Sequence, residues 1–165
     1  MAMETNHAPC NASAKLTIPA SPPWFGTIRN LVIQLSRNCG VDDRNAGSIA
    51  LVIDEAVSNI HRHGYLGSHE EMLNIEIKGY QATQSSPWKI QICIEDRAKQ
   101  VELNRIKSRK LDDIRPGGLG VHLINTIMDT ATWTHRKHGG MRLVMEKQGD
   151  ICTHQADDKK ESTIH

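Results

Sequence analysis

From Trp24 onward, apolar residues recur at Ile28, Leu31, Val32 and Leu35, the spacing that lays one stripe along a helix. Ser21-Pro22-Pro23 supplies a capping residue and prolines suited to a first turn, and Cys39-Gly40 ends the element. The same period returns at Ile49, Val52, Ile53, Ala56, Val57 and Ile60, behind a cap at Asp42 or Asp43, and stops at Gly64. Elsewhere the period is two. Lys15 to Pro19 alternates as a half-buried edge strand does. Met72 to Tyr80 places Leu73, Ile75 and Ile77 on one side, and Trp88 to Asp96 does the same with Ile90, Ile92 and Ile94. Joined by the polar loop Thr83 to Pro87, these two runs predict an antiparallel hairpin. A third helix, carrying Val121, Ile124, Ile127 and Met128, follows Gly117-Gly118-Leu119-Gly120. Thr130 to His135 and Met141 to Glu146 then read as a second hairpin around Lys137 to Gly140. Between the first hairpin and the third helix, Lys99 to Pro116 is charged and lacks a period, which predicts a loop with at most a short helix.

That order predicts an α+β layer, an antiparallel or mixed sheet with helices on one face. The 165 residues suit one domain, expected over 15–148, with a loose arm at 1–14 and a polar tail at 149–165. With one Phe and two Tyr the core must be aliphatic. A net charge of +1 argues against a basic surface for nucleic acid or acidic membrane. The four cysteines stand singly, without metal or redox spacing, and fit reduced thiols. Neither a signal peptide nor a run of membrane-spanning length is present, so the expected location is the cytoplasm.

Candidate chemistry sits at three places. Glu55 and Asn59 are four residues apart on the second helix, which stacks a carboxylate and a carboxamide on one face. The carboxylate can take a proton or orient water, and the amide oxygen suits a hard cation. Asp96 ends the strand of Ile90 to Glu95, where a carboxylate can accept from an exocyclic amine, or simply form a turn. The glycines at 117, 118 and 120 open a helix, whose free N–H groups and dipole favour an anion; a plain hinge has the same composition. His61, His63 and His69 do not make a metal site, because His61 and His63 fall on different helix faces and no further ligands complete a set.

Taken in order, these features resemble the Bergerat-fold ATPases, the superfamily of Hsp90, type II topoisomerases and histidine-kinase ATP domains. The wording is most similar to the anti-sigma-factor serine/threonine protein kinases, through Asp54-Glu55-Ala56-Val57-Ser58-Asn59, His63-Gly64-Tyr65, Gly117-Gly118-Leu119-Gly120-Val121-His122-Leu123-Ile124 and Met128-Asp129. The resemblance implies a two-layer α/β sandwich with a mixed, mostly antiparallel sheet. It implies ATP and Mg²⁺, with Glu55 as general base, Asn59 holding the metal and Asp96 reading the adenine amine. Gly118, Leu119, Gly120 and Val121 would hold phosphates under a lid at 99–117, and Arg62 would face the phosphates. Implied partners are a STAS-type anti-anti-sigma protein, a sigma factor or other output protein, and a second copy in a homodimer. One stretch departs from the pattern: Ala98, beside the base, and Gln100 stand where the family has the glycines of D-x-G-x-G. The alternative they raise is a partner-switching module of the same fold with a weak ATP pocket.

Overall fold

The computed structural model describes residues 11–106 and 119–150. Its elements run β1 (Ala12–Pro19), α1 (Pro22–Asn38), α2 (Asp43–Asn59), a π-helical turn (Ile60–Gly64), β2 (Met72–Tyr80), β3 (Trp88–Glu95), a 3₁₀ turn (Leu103–Ile106), α3 (Leu119–Ile127), β4 (Thr130–His135) and β5 (Met141–Gly149). The five strands form one sheet in the order β1-β2-β3-β5-β4, and every pairing in it is antiparallel. Of the antiparallel or mixed sheet expected, the described residues form the antiparallel one. Strand β1 begins at Ala12, inside the stretch expected to be a loose arm, because its ladder with β2 extends to Gly79 and Asn11 N–H adds a bond to Gly79 O.

Burial alternates without a break along β3 and from Leu73 along β2, so one face is core and the other is not. The core face carries Leu73, Ile75, Ile77, Ile90, Ile92 and Ile94, each no more than 2% exposed. Against it pack Ile28 and Val32 of α1 and Ile49, Val52 and Ile53 of α2. Helix α1 approaches so closely that a Cβ on Gly79 would run into Cys39 Sγ and Leu35. The opposite face is polar, with Glu76 between Lys15 at 3.4 Å and Lys78 at 3.3 Å, and Gln91 donating to Glu146. Exposed pairs of that kind contribute about 0–1 kcal/mol each, whereas burying an Ile contributes about 1.5–3 kcal/mol. The helix-side isoleucines therefore hold the sheet together.

Helix α2 starts as its composition directs: Asp42 is the N-cap and accepts from Asn45 N–H at 2.9 Å. Helix α1 starts where expected, with Ser21 at the N-cap and prolines in the first turn, although Ser21 makes no side-chain cap bond. Pro22 and Pro23 have no N–H to offer, and Trp24 N–H bonds Ser21's backbone carbonyl instead. The end of α2 differs from the expected one. The helix does reach Gly64, but its last turn widens to π geometry, with Tyr65 N–H bonding Ile60 O at 2.8 Å. This wide turn sits directly after Asn59 and carries Gly64 toward the strand ends; a Cβ on Gly64 would lie 3.0 Å from that of Ala98.

Candidate functional site

Asn59 is the last residue of α2, Asp96 follows the end of β3, and Val121 lies in the first turns of α3. All three line one cavity of about 480 Å³, together with Gly64, Ala98 and Met141. Its two ends are built differently.

At the first end Glu55 and Asn59 share a face of α2, as their spacing requires, and Gly120 of α3 presses on both. A Cβ at Gly120 would collide with Glu55 Oε1 and approach Asn59 Nδ2 to 2.5 Å. Glycine lets this approach leave both side chains in place and sets the N-terminal turn of α3 against a carboxylate and an amide. Leu119 opens that helix, while Gly118 and most of the expected lid lie outside the described residues. Like Glu55 and Gly120, Arg62 lies beside the cavity rather than lining it; it folds back over the pair, its Nη2 3.4 Å from Asn59 Oδ1 and 3.7 Å from Glu55 Oε1. It is half exposed and long in these contacts and in its 3.3 Å bond from Nε to Ser58 O, so it is held loosely.

At the second end Asp96 is buried, and burial pushes its carboxyl above the ordinary range; hydrogen bonds from Met141 and Ala98 and the Arg136 charge oppose that shift. Both N–H bonds go to Oδ1, from Ala98 at 2.9 Å and Met141 at 3.0 Å. Oδ2 takes no hydrogen bond from the described residues, which leaves it free to accept from an amine. Arg136 Nη1 donates to the Asp96 backbone carbonyl, and its Nη2 lies 3.4 Å from Glu95. Gly139 and Gly140, at φ +93° and +85°, turn β4 into β5. A Cβ on Gly140 would collide with that same Asp96 carbonyl, so this glycine too is fixed by a close approach.

Residues 18–147 match the histidine kinase-like ATPase domain family. The chain belongs to this family. Among curated proteins it is similar to the serine-protein kinase RsbW of Oceanobacillus iheyensis, 23% identical over 81% of this chain and 84% of that one. RsbW of Staphylococcus aureus is 25% identical, again over 81% and 84%. Among solved structures, the SiaB–SiaC complex of Pseudomonas aeruginosa aligns with a TM-score of 0.53 at 14% identity, covering 82% of this chain and 89% of that one. The RsbU and RsbW domains of a Mycobacterium tuberculosis protein align with a TM-score of 0.52 at 17% identity, over 87% of this chain and 35% of that one. These two likenesses extend to the fold, the α+β sandwich of three helices on a five-stranded antiparallel sheet.

The residues present fit an adenine nucleotide with its metal. Asp96, a buried residue with one carboxylate oxygen unbonded by the described residues, lines one end, and a glycine-opened helix start meets a Glu/Asn pair at the other. Ala98 does not strain the backbone, since among the described residues Leu66 is the one non-glycine at positive φ. Its methyl packs toward Gly64. Tyr65 and Arg136 carry no role that the sequence suggests, and Gln100 there reads only as a departure from the glycine pattern. Tyr65 OH donates to Met72 O and accepts from Arg97 N–H, while Gln100 Nε2 reaches Arg136 O and Gly140 O. The bond from Arg97 N–H reaches Tyr65 across 32 residues of chain, which no local spacing announces.

Proposed function

We propose that this chain is a Mg-ATP-dependent serine/threonine protein kinase and anti-sigma factor that works by partner switching. The observation that carries the reading is the seat of Gly120 on Glu55 and Asn59, which brings a helix N-terminus to a base and a metal-binding amide beside a cavity ending in Asp96. Asp96 Oδ2 accepts from the adenine amine. The N–H groups opening α3, at Leu119, Gly120 and Val121, receive phosphate oxygens, continuing those of Gly118. Asn59 Oδ1 would hold Mg²⁺, which when bound neutralises charge on the phosphates. Arg62, held only loosely over the pair, would turn toward the phosphates.

In the transfer the acceptor serine Oγ bonds to the γ-phosphorus, the bond to the β–γ bridging oxygen breaks, and ADP leaves. Glu55 takes the hydroxyl proton. The acceptor is a STAS-type anti-anti-sigma protein and the output partner a sigma factor or similar protein, with the kinase acting as a cytoplasmic homodimer. The RsbW relatives support the kinase part, and the SiaB neighbour, solved in complex with SiaC, supports a protein partner. No helix among the described residues is long and apolar enough to cross a membrane.

Glu55→Gln should lower phosphate transfer to the STAS protein roughly 100-fold or more while Mg-ATP binding, by calorimetric titration, stays within about twofold. Retained transfer rejects the base assignment. A second reading, the same fold as a non-catalytic partner switch, draws on Gln100 and Ala98 at the glycine positions. Wild-type protein that binds no nucleotide at millimolar Mg-ATP leaves that reading in place of the first.

A further inference from the structure

We propose that Gln100 and Tyr65 are positioning residues that clamp the segment after Asp96 from both sides and so fix the oxygen that selects the base. The proposal rests on the nucleotide-binding reading above.

Asp96 can select an amine only if its carboxylate keeps one orientation. That orientation depends on Ala98 N–H and Met141 N–H, both bonded to Oδ1. Ala98 belongs to a loop and Met141 to β5, so both must stay in register with β3. On one side Tyr65 OH accepts from Arg97 N–H at 2.7 Å and donates to Met72 O at 3.0 Å. A phenol can do both at once, tying the loop to the segment behind the π turn. On the other side Gln100 Nε2 donates to Arg136 O at 2.7 Å and Gly140 O at 3.2 Å. The loop is thereby fastened to the β4–β5 turn, and His135 Nε2 lies 2.8 Å from Val101 O one step further on. Glycine at position 100 could make neither side-chain bond and would free the segment. Gln100 thus supplies by hydrogen bonding an order that a glycine there leaves to the ligand, and the Asp96 carboxylate stays held through Oδ1, with Oδ2 left to accept, before any nucleotide arrives.

The test uses the donor character of Gln100. Gln100→Glu turns a donor facing two carbonyls into an acceptor, Gln100→Ala removes it, and Gln100→Lys keeps a donor of similar reach. Full-length protein is titrated with Mg-ATP and with Mg-ITP, which carries a 6-oxo group in place of the amine, and transfer is followed as KM and kcat. Gln100→Glu should raise the ATP Kd and KM roughly fivefold or more and reduce the ATP-over-ITP preference, with kcat within about twofold. Gln100→Ala should fall between Glu and wild type, and Gln100→Lys should restore the wild-type preference. Tyr65→Phe should move KM and preference the same way. Unchanged ATP affinity and base preference in Gln100→Glu, beside a wild type that binds ATP, overturns the clamp alone. A wild type that binds no ATP overturns the nucleotide reading and the clamp's role together.

Discussion

The two ends of the cavity hold their functional groups by different means. At the Glu55 end the fixing is steric and local: both residues ride one face of α2, and α3 is seated by the absence of a side chain at Gly120. At the Asp96 end the fixing is by hydrogen bonds collected from several segments, namely Ala98, Met141, Tyr65, Gln100 and Arg136. The difference suits the tasks proposed for the two ends. A phosphate site must admit a large anion and its metal, so it needs space and free N–H groups more than a tight lattice. A base site must tell an amine from a carbonyl, and that discrimination requires an acceptor that cannot rotate.

The glycines at the two ends make the comparison testable. Gly120→Ala places a methyl against the ends of Glu55 and Asn59, which can swing aside at the expense of their geometry. Alanine also favours the helix by about 1 kcal/mol, so stability should change by no more than ~1 kcal/mol. Phosphate transfer, in contrast, should fall on the order of 100-fold, since misplacement of about 1 Å has that effect. Gly140→Ala should behave in the opposite way. Its φ of +85° disfavours a side chain, and the methyl meets the Asp96 backbone, which cannot swing. A loss of about 3 kcal/mol is expected, a drop in Tm of roughly 6–12 °C by calorimetry. If Gly120→Ala unfolds the protein and Gly140→Ala spares it, the contrast between the ends is wrong.

How far each end could be read from the residues follows the same division. The periods of α1, α2, β2 and β3 were legible because each element buries one face, and burial repeats at the element's own period. Glu55, Asn59, Asp96, Ala98 and Val121 were singled out through their order along the chain; the last four line one cavity, and Glu55 meets Gly120 beside Asn59. The π turn was not, because a widened last turn leaves the apolar spacing of the preceding helix intact. Nor was the full reach of β5, which pairs with β3 as far as Gly149 although Lys147 and Gln148 break the apolar alternation. Gln100 looked like a lost glycine. Only its contacts, with carbonyls some forty residues further along the chain, give it a role.

The smallest expected effect sharpens the base end itself. Burial raises the Asp96 carboxyl above its ordinary 3.8. Between that value and the raised one the native protein holds the proton more tightly than the unfolded chain. Asp96 therefore lowers stability as pH rises through the window, the reverse of a carboxylate held by an ion pair. Recognition has the opposite slope: the ionised Oδ2 accepts from an amine, whereas the protonated one can present a donor to it. Mg-ATP affinity should consequently improve as pH rises through the same window in which thermal stability declines. In Asp96→Asn both trends should flatten, because the carboxyl that titrates is gone. The asparagine can still accept from Ala98 and Met141 at Oδ1, but its amide then offers a donor where the carboxylate offered an acceptor. ATP should bind roughly tenfold more weakly and ITP relatively better, so the base preference narrows or inverts. An Asp96→Asn protein that keeps both the wild-type ATP-over-ITP ratio and the wild-type pH slope would mean that the amine is read elsewhere, and that the bonds converging on Asp96 serve the hairpin alone.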